Sequence, residues 1–114
     1  MDVKELRVGN YLKLLGTRFG TQTIDLKKLI LSSLLENNDS IKYFKPIPLT
    51  ENWLLDFGFN IIKGWDDTFY FERSGFQIYE YSVSGYEYDG FSIKYVHQLQ
   101  NLHFALTNQE LTNK

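Results

Sequence analysis

The chain contains no cysteine, which excludes disulfides, thiolate metal sites and cysteine nucleophiles together. It has two histidines, His97 and His103, six positions apart. On a helix that spacing places them roughly 240° apart, so they cannot share one metal ion. No Gly-x-Ser-x-Gly elbow, dinucleotide fingerprint or phosphate-binding glycine loop occurs, and Gly9, Gly16 and Gly20 are too dispersed to cradle a phosphate. No apolar run approaches the ~18 residues of a membrane span, and Met1–Glu5 lacks the apolar segment of a signal peptide. The expectation is a soluble cytoplasmic protein with no cofactor and no membrane partner.

What the chain does have is aromatic residues. Nine Phe, eight Tyr and two Trp make up 17% of 114 residues. Phe fills core volume without polar atoms, whereas a buried Tyr needs a partner for its hydroxyl and so favours rims and interfaces. Six of the eight Tyr fall between residues 70 and 95, which predicts a sheet with a Phe face and a Tyr face. Charge is also uneven. Residues 1–50 hold eight Lys or Arg against five Asp or Glu, and residues 51–114 hold four against nine. The basic residues form no cluster, so duplex nucleic acid is not an expected partner.

The pattern predicts one α+β domain over 1–114, an antiparallel sheet with two to three helices packed on one side. Leu6 to Leu14 alternates as a strand bent at Gly9-Asn10, a turn spans Gly16 to Gly20, and Thr21–Ile24 is a second strand. Asp25 suits the cap of a helix carrying Leu26, Leu29, Ile30 and Leu34, with Asn37–Ser40 as its stop, so strands and helix occupy 1–40; residues 24–31 also admit a β reading, because Leu31 and Leu35 blur the helical face. Tyr43–Leu49 is extended by its prolines, and Thr50 caps a central helix within 50–58, ended by Gly58. A Tyr/Phe-rich sheet occupies 59–95, with a tight turn at Ser74-Gly75, a returning strand Phe76–Val83, and a connection from Ser84 to Gly90. A C-terminal helix runs over 96–107.

That helix carries two ridges. Tyr95, Leu99, Leu102 and Leu106 are apolar, while His97, Gln100, Asn101 and Phe104 follow at i, i+3, i+4 and i+7. Amides and imidazoles in place of Lys and Glu can read a partner's hydrogen-bonding pattern. The polar ridge therefore meets solvent, or faces a pocket or a second subunit. His97 and Gln98 also sit in the first turn, where unpaired N–H groups favour an anion. Asp66-Asp67, Glu72, Glu80, Glu87 and Asp89 read as a solvated set of carboxylates.

Three segments carry a resemblance. Glu5–Tyr11 (ELRVGNY), Pro46–Phe59 (PIPLTENWLLDFGF) and Ile93–Thr107 (IKYVHQLQNLHFALT) together resemble a family of small proteins found in Bacteroidota genomes and their phages. The resemblance implies a mobile-element setting, in which small cysteine-free proteins often act by binding, including sequestration of nucleotide-derived defence signals.

Together these features predict a non-catalytic binding protein for a small nucleotide-like ligand, in a phage setting a counter-defence protein. Tyr79, Tyr81 and Trp65 would stack on the planar part, and His97, Gln98 and Asn101 would supply donors and acceptors. Arg7, Arg73 or Lys94 would meet phosphate. The alternative is a protein–protein interaction module using the same Tyr face. A hydrolase built on His97 comes third. Self-association into a homo-oligomer is expected, because so small a domain leaves aromatic area that its own helices do not cover.

Overall fold

The structure is a computed structural model and describes residues 3–17, 20–36, 42–64, 68–81 and 85–112. The chain is α+β, with two antiparallel sheets rather than one among the described residues. Two compact units divide it: Met1–Pro48 with Tyr95–Glu110, and Leu49–Lys94 with Leu111–Lys114. Among the described residues no helix is long and apolar enough to cross a membrane.

The first unit begins with a short 3-10 turn, Val3–Glu5, followed by β1 (Tyr11–Thr17), β2 (Gly20–Asp25), α1 (Lys28–Glu36) and β3 (Phe44–Lys45), and closes with α3 (Val96–Thr107). Its sheet has the order β2-β1-β3. The predicted strand from Leu6 starts only at Tyr11. Residues 7–10 form a tight turn instead, with Asn10 N–H donating to the Arg7 carbonyl at 3.1 Å and Gly9 at φ +96°. A side chain at that φ would be strained, so glycine is needed there. Asp25 does not cap α1. It ends β2, and Leu26 extends the ladder by donating to the Asn10 carbonyl and accepting from Gly9 N–H. The helix therefore starts at Lys28, later than expected, and its predicted stop at Asn37–Ser40 lies outside the described residues. Leu6, Leu12, Leu26 and Leu34 form the buried cluster here, with Ile30, Leu31 and Phe44 packed against it.

The second unit holds α2 (Glu51–Asp56) and a five-stranded meander: β4 (Asn60–Lys63), β5 (Phe69–Arg73), β6 (Phe76–Tyr81), β7 (Gly85–Tyr88) and β8 (Phe91–Ile93), paired in that order. Thr50 caps α2 as predicted, its hydroxyl accepting from Trp53 N–H, and Gly58 follows at φ +92°. Ser74-Gly75 and Asp89-Gly90 both have two successive positive φ angles, the conformation that two-residue hairpins favour. The second of these turns corrects the predicted Ser84–Gly90 connection, because Gly85–Tyr88 is itself a strand.

Register fixes what each face of the meander carries, since paired residues lie on the same side. Phe71 pairs with Ile78, Tyr86 with Ile93, and Phe76 stacks on Tyr88 with ring centroids 4.3 Å apart. Phe71, Phe76, Ile78 and Ile93 are buried, so this is the core face. On the other face one row crosses all five strands: Ile62, Tyr70, Tyr79, Glu87 and Ser92. Beside it lie the row Asn60–Glu72–Gln77 and the pair Tyr81–Gly85.

Candidate functional site

The polar ridge of α3 is largely shielded from solvent. It lies against the N-terminal turn of its own unit. Gln100 is 0% exposed and acts as a substitute peptide group. Its Oε1 accepts from Tyr11 N–H at 2.9 Å and its Nε2 donates to the Gly9 carbonyl at 2.9 Å. A side-chain amide carries the same donor and acceptor as a backbone unit, so it satisfies the chain where β1 begins.

Asn101 extends the network. Its Oδ1 accepts from Asn10 Nδ2 at 2.8 Å and from Arg7 Nη1 at 3.1 Å, and its Nδ2 donates to the Glu5 carbonyl at 2.6 Å. Asn10, fully buried, accepts from Arg7 N–H through Oδ1 at 2.7 Å. Arg7 is held further by an ion pair with Glu110 and by the ring of Phe104, whose centroid lies 3.9 Å from the guanidinium carbon. Glu110 reaches Arg7 because Asn108 adopts a left-handed conformation at the end of α3, its N–H donating to the Phe104 carbonyl. Asn tolerates that conformation better than most residues, and it reverses the chain.

His97 is 1% exposed, with Nε2 3.2 Å from Glu5 Oε2 and its ring stacked on Tyr95. A carboxylate only accepts, so Nε2 carries the proton in the neutral tautomer. Nδ1 is then a buried lone pair with no partner among the described residues. Protonating Nδ1 would bury an N–H with nothing to accept it. Burial accordingly lowers the His97 pKa from its usual value, against the opposing pull of Glu5. Gln98 accepts from Tyr95 N–H at 3.1 Å, closing the start of α3 where an anion was expected. His103, also buried, faces the Gln109 carbonyl through Nδ1 at 2.9 Å.

Of the predicted site residues, the first unit thus brings together Arg7, His97, Gln98 and Asn101, all in internal hydrogen bonds or ion pairs. In the second unit Tyr79 and Tyr81 share the face opposite the core and are 39% and 49% exposed. Tyr70 packs on Tyr79 with centroids 5.3 Å apart, and the Tyr79 hydroxyl donates to Gln77 Oε1 at 3.0 Å. Trp65 lies outside the described residues. Arg73 pairs with Phe76, and strand alternation puts it on the core side, away from Tyr79. Lys94 follows β8, its carbonyl accepting from Leu49 N–H. Tyr86 also belongs to the core side, where burial and a hydrogen bond to Glu80 push its hydroxyl pKa up to about 12.

Sequence reasoning missed Ile62, which extends the row onto β4; Tyr70 completes the row, and Glu72 and Glu87, among the carboxylates read as solvated, are the charged residues at the paired positions of that face. Alternation within β5 and β6 carried the signal for Tyr70. The cross-strand register of β7 does not show in the sequence, because Gly85 and the two tyrosines of that strand match a connection as well as a strand. No family model, curated protein or solved structure matches this chain.

Proposed function

We propose that this chain is a non-catalytic binding protein that docks a protein partner on the Tyr70–Tyr79–Tyr81 face of its five-stranded sheet. One observation carries the reading: Ile62, Tyr70 and Tyr79 form a continuous apolar row across three strands, on the side away from the core, with Tyr79 and Tyr81 exposed. Tyrosines supply large contact area at low entropy cost and are favoured at interfaces. The imidazole and amide groups that would do chemistry or read a base are engaged within the first unit.

Capture of a nucleotide-like ligand, as in counter-defence sequestration, is the second reading. The exposed Tyr rings favour it, since stacking on a planar base is worth ~1–3 kcal/mol. Glu72 and Glu87 on the same face oppose it, because a phosphate would meet carboxylates there. They also oppose a second copy on this face, which would set like charges against each other.

The test is amide chemical-shift mapping of the 13.5 kDa protein against a nucleotide panel and a set of short peptides of differing charge. The expected result is that peptides perturb Ile62, Tyr70, Tyr79 and Tyr81 while nucleotides leave them unmoved. Nucleotide-dependent shifts on that row, with or without turnover, would replace the first reading by the second or by an enzyme.

A further inference from the structure

Resting on the docking face just proposed, we infer that its occupant is a cationic, arginine-bearing protein segment. The face combines two features that converge on one side chain. Tyr79 stands directly opposite Glu87 on β7 and opposite Tyr70 on β5, and Tyr70 is flanked along its own strand by Glu72. Adjacent strands lie ~4.8 Å apart, so Tyr70 and Glu87 are about 10 Å apart across the sheet with Tyr79 between them. A guanidinium stacks on an aromatic face and pairs bidentately with a carboxylate. Here the two kinds of acceptor alternate at that reach. Strand alternation sends Lys63 and Arg73 to the opposite side, so the charged residues at the paired positions of this face are Glu72 and Glu87.

Charge on the whole unit points the same way. Residues 49–94 with 111–114 hold four Lys or Arg against eight Asp or Glu, a net of −4. Long-range attraction therefore draws a cation toward this half of the chain, and the tyrosines supply the short-range contact that a bare acidic patch lacks.

The experiment measures binding of a fluorescent nine-residue peptide carrying four arginines, by anisotropy at 150 mM salt, beside a lysine version, a glutamate version and ATP. Glu87→Gln should weaken the arginine peptide by about tenfold, the scale of one lost hydrogen bond to a charged group, and Tyr79→Ala by about threefold or more, the scale of an exposed cation–π contact. Glu80→Gln is the control. It removes the same charge from the opposite face while keeping an acceptor for Tyr86, and should change affinity by less than twofold. The lysine peptide should bind more weakly than the arginine one, and the glutamate peptide and ATP should not compete. Equal losses for Glu80→Gln and Glu87→Gln would reduce the effect to net charge and overturn the inference. Binding of the glutamate peptide or ATP that depends on Tyr79 would also overturn it, while leaving a docking face in place. If Tyr79→Ala alters no interaction in the set, the docking face itself is lost along with the inference. Circular dichroism of each variant confirms that the fold is retained.

Discussion

Replacing Gln100 is the sharpest probe of the network beneath α3. Gln100→Ala removes one acceptor and one donor, and leaves Tyr11 N–H and the Gly9 carbonyl without their partners. Each orphaned group costs about 1–3 kcal/mol, so the pair costs about 2–6 kcal/mol, before any cavity term at a fully buried side chain. For a chain of this size each kcal/mol lowers Tm by about 4 °C, which predicts a drop of about 8 °C or more. Gln100→Glu makes the assignment chemical. The carboxylate keeps an acceptor for Tyr11 but sets a second oxygen against the Gly9 carbonyl. Protonation restores a donor, so the folded state holds that proton more tightly than the unfolded chain. The deficit of this variant relative to the parent should therefore shrink as pH falls through the carboxylate range. Chemical melts at pH 7 and pH 4.5, with hydrogen exchange at the Tyr11 amide, give the readout. An alanine variant melting within 2 °C of the parent, with Tyr11 still protected, would refute the reasoning.

Three further outcomes are expected. Burial lowers the His97 pKa, so the unfolded chain binds the proton more readily and stability should erode as pH falls below about 6.5; His97→Gln should flatten that limb of the pH–stability curve, measured by urea midpoints. Leu99→Ala, at a side chain with 0% exposure, should cost about 2–5 kcal/mol, whereas exposed Leu106→Ala should cost under ~0.5 kcal/mol; equal melts for the two would show that α3 is rotated from its described orientation. Tyr79→Ala should change stability by only about 0.5–1.5 kcal/mol, the scale of its contact with Tyr70, so a calorimetric loss above 3 kcal/mol would mean the residue is structural.

The sequence conveyed what depended on local chemistry. Thr50, Gly58 and the Ser74-Gly75 turn announced α2 and the β5–β6 hairpin, and apolar spacing located α3 at Val96–Thr107. Asp89-Gly90 carried as strong a hairpin signal as Ser74-Gly75, but the run of tyrosines before it hid the alternation of β7. The missed features were long-range. Nothing local distinguishes Gln100 facing Gly9 from Gln100 facing solvent, because the partner lies 91 residues away. The same holds for Asn101 and Glu5, and for the pairing of Leu26 with the turn at Gly9-Asn10, which displaced Asp25 from a helix cap into a strand.

The bonds joining α3 to the N-terminal turn span 89 to 96 positions, and this separation governs how the chain can fold. Ordering a ~90-residue loop costs about 2 kcal/mol more than ordering one of ~10 residues, so these contacts form late when the intervening chain is open. The meander has no such handicap, since its hairpins at Ser74-Gly75 and Asp89-Gly90 close over two residues each. With the whole second unit folded, Leu49 N–H donates to the Lys94 carbonyl at 2.9 Å, so the two ends of the segment 49–94 lie together. The segment 49–94 then acts as an entropic clasp that shortens the effective loop between β3 and α3. A substitution that slows folding of the segment 49–94 should thus slow burial of Gln100 as well.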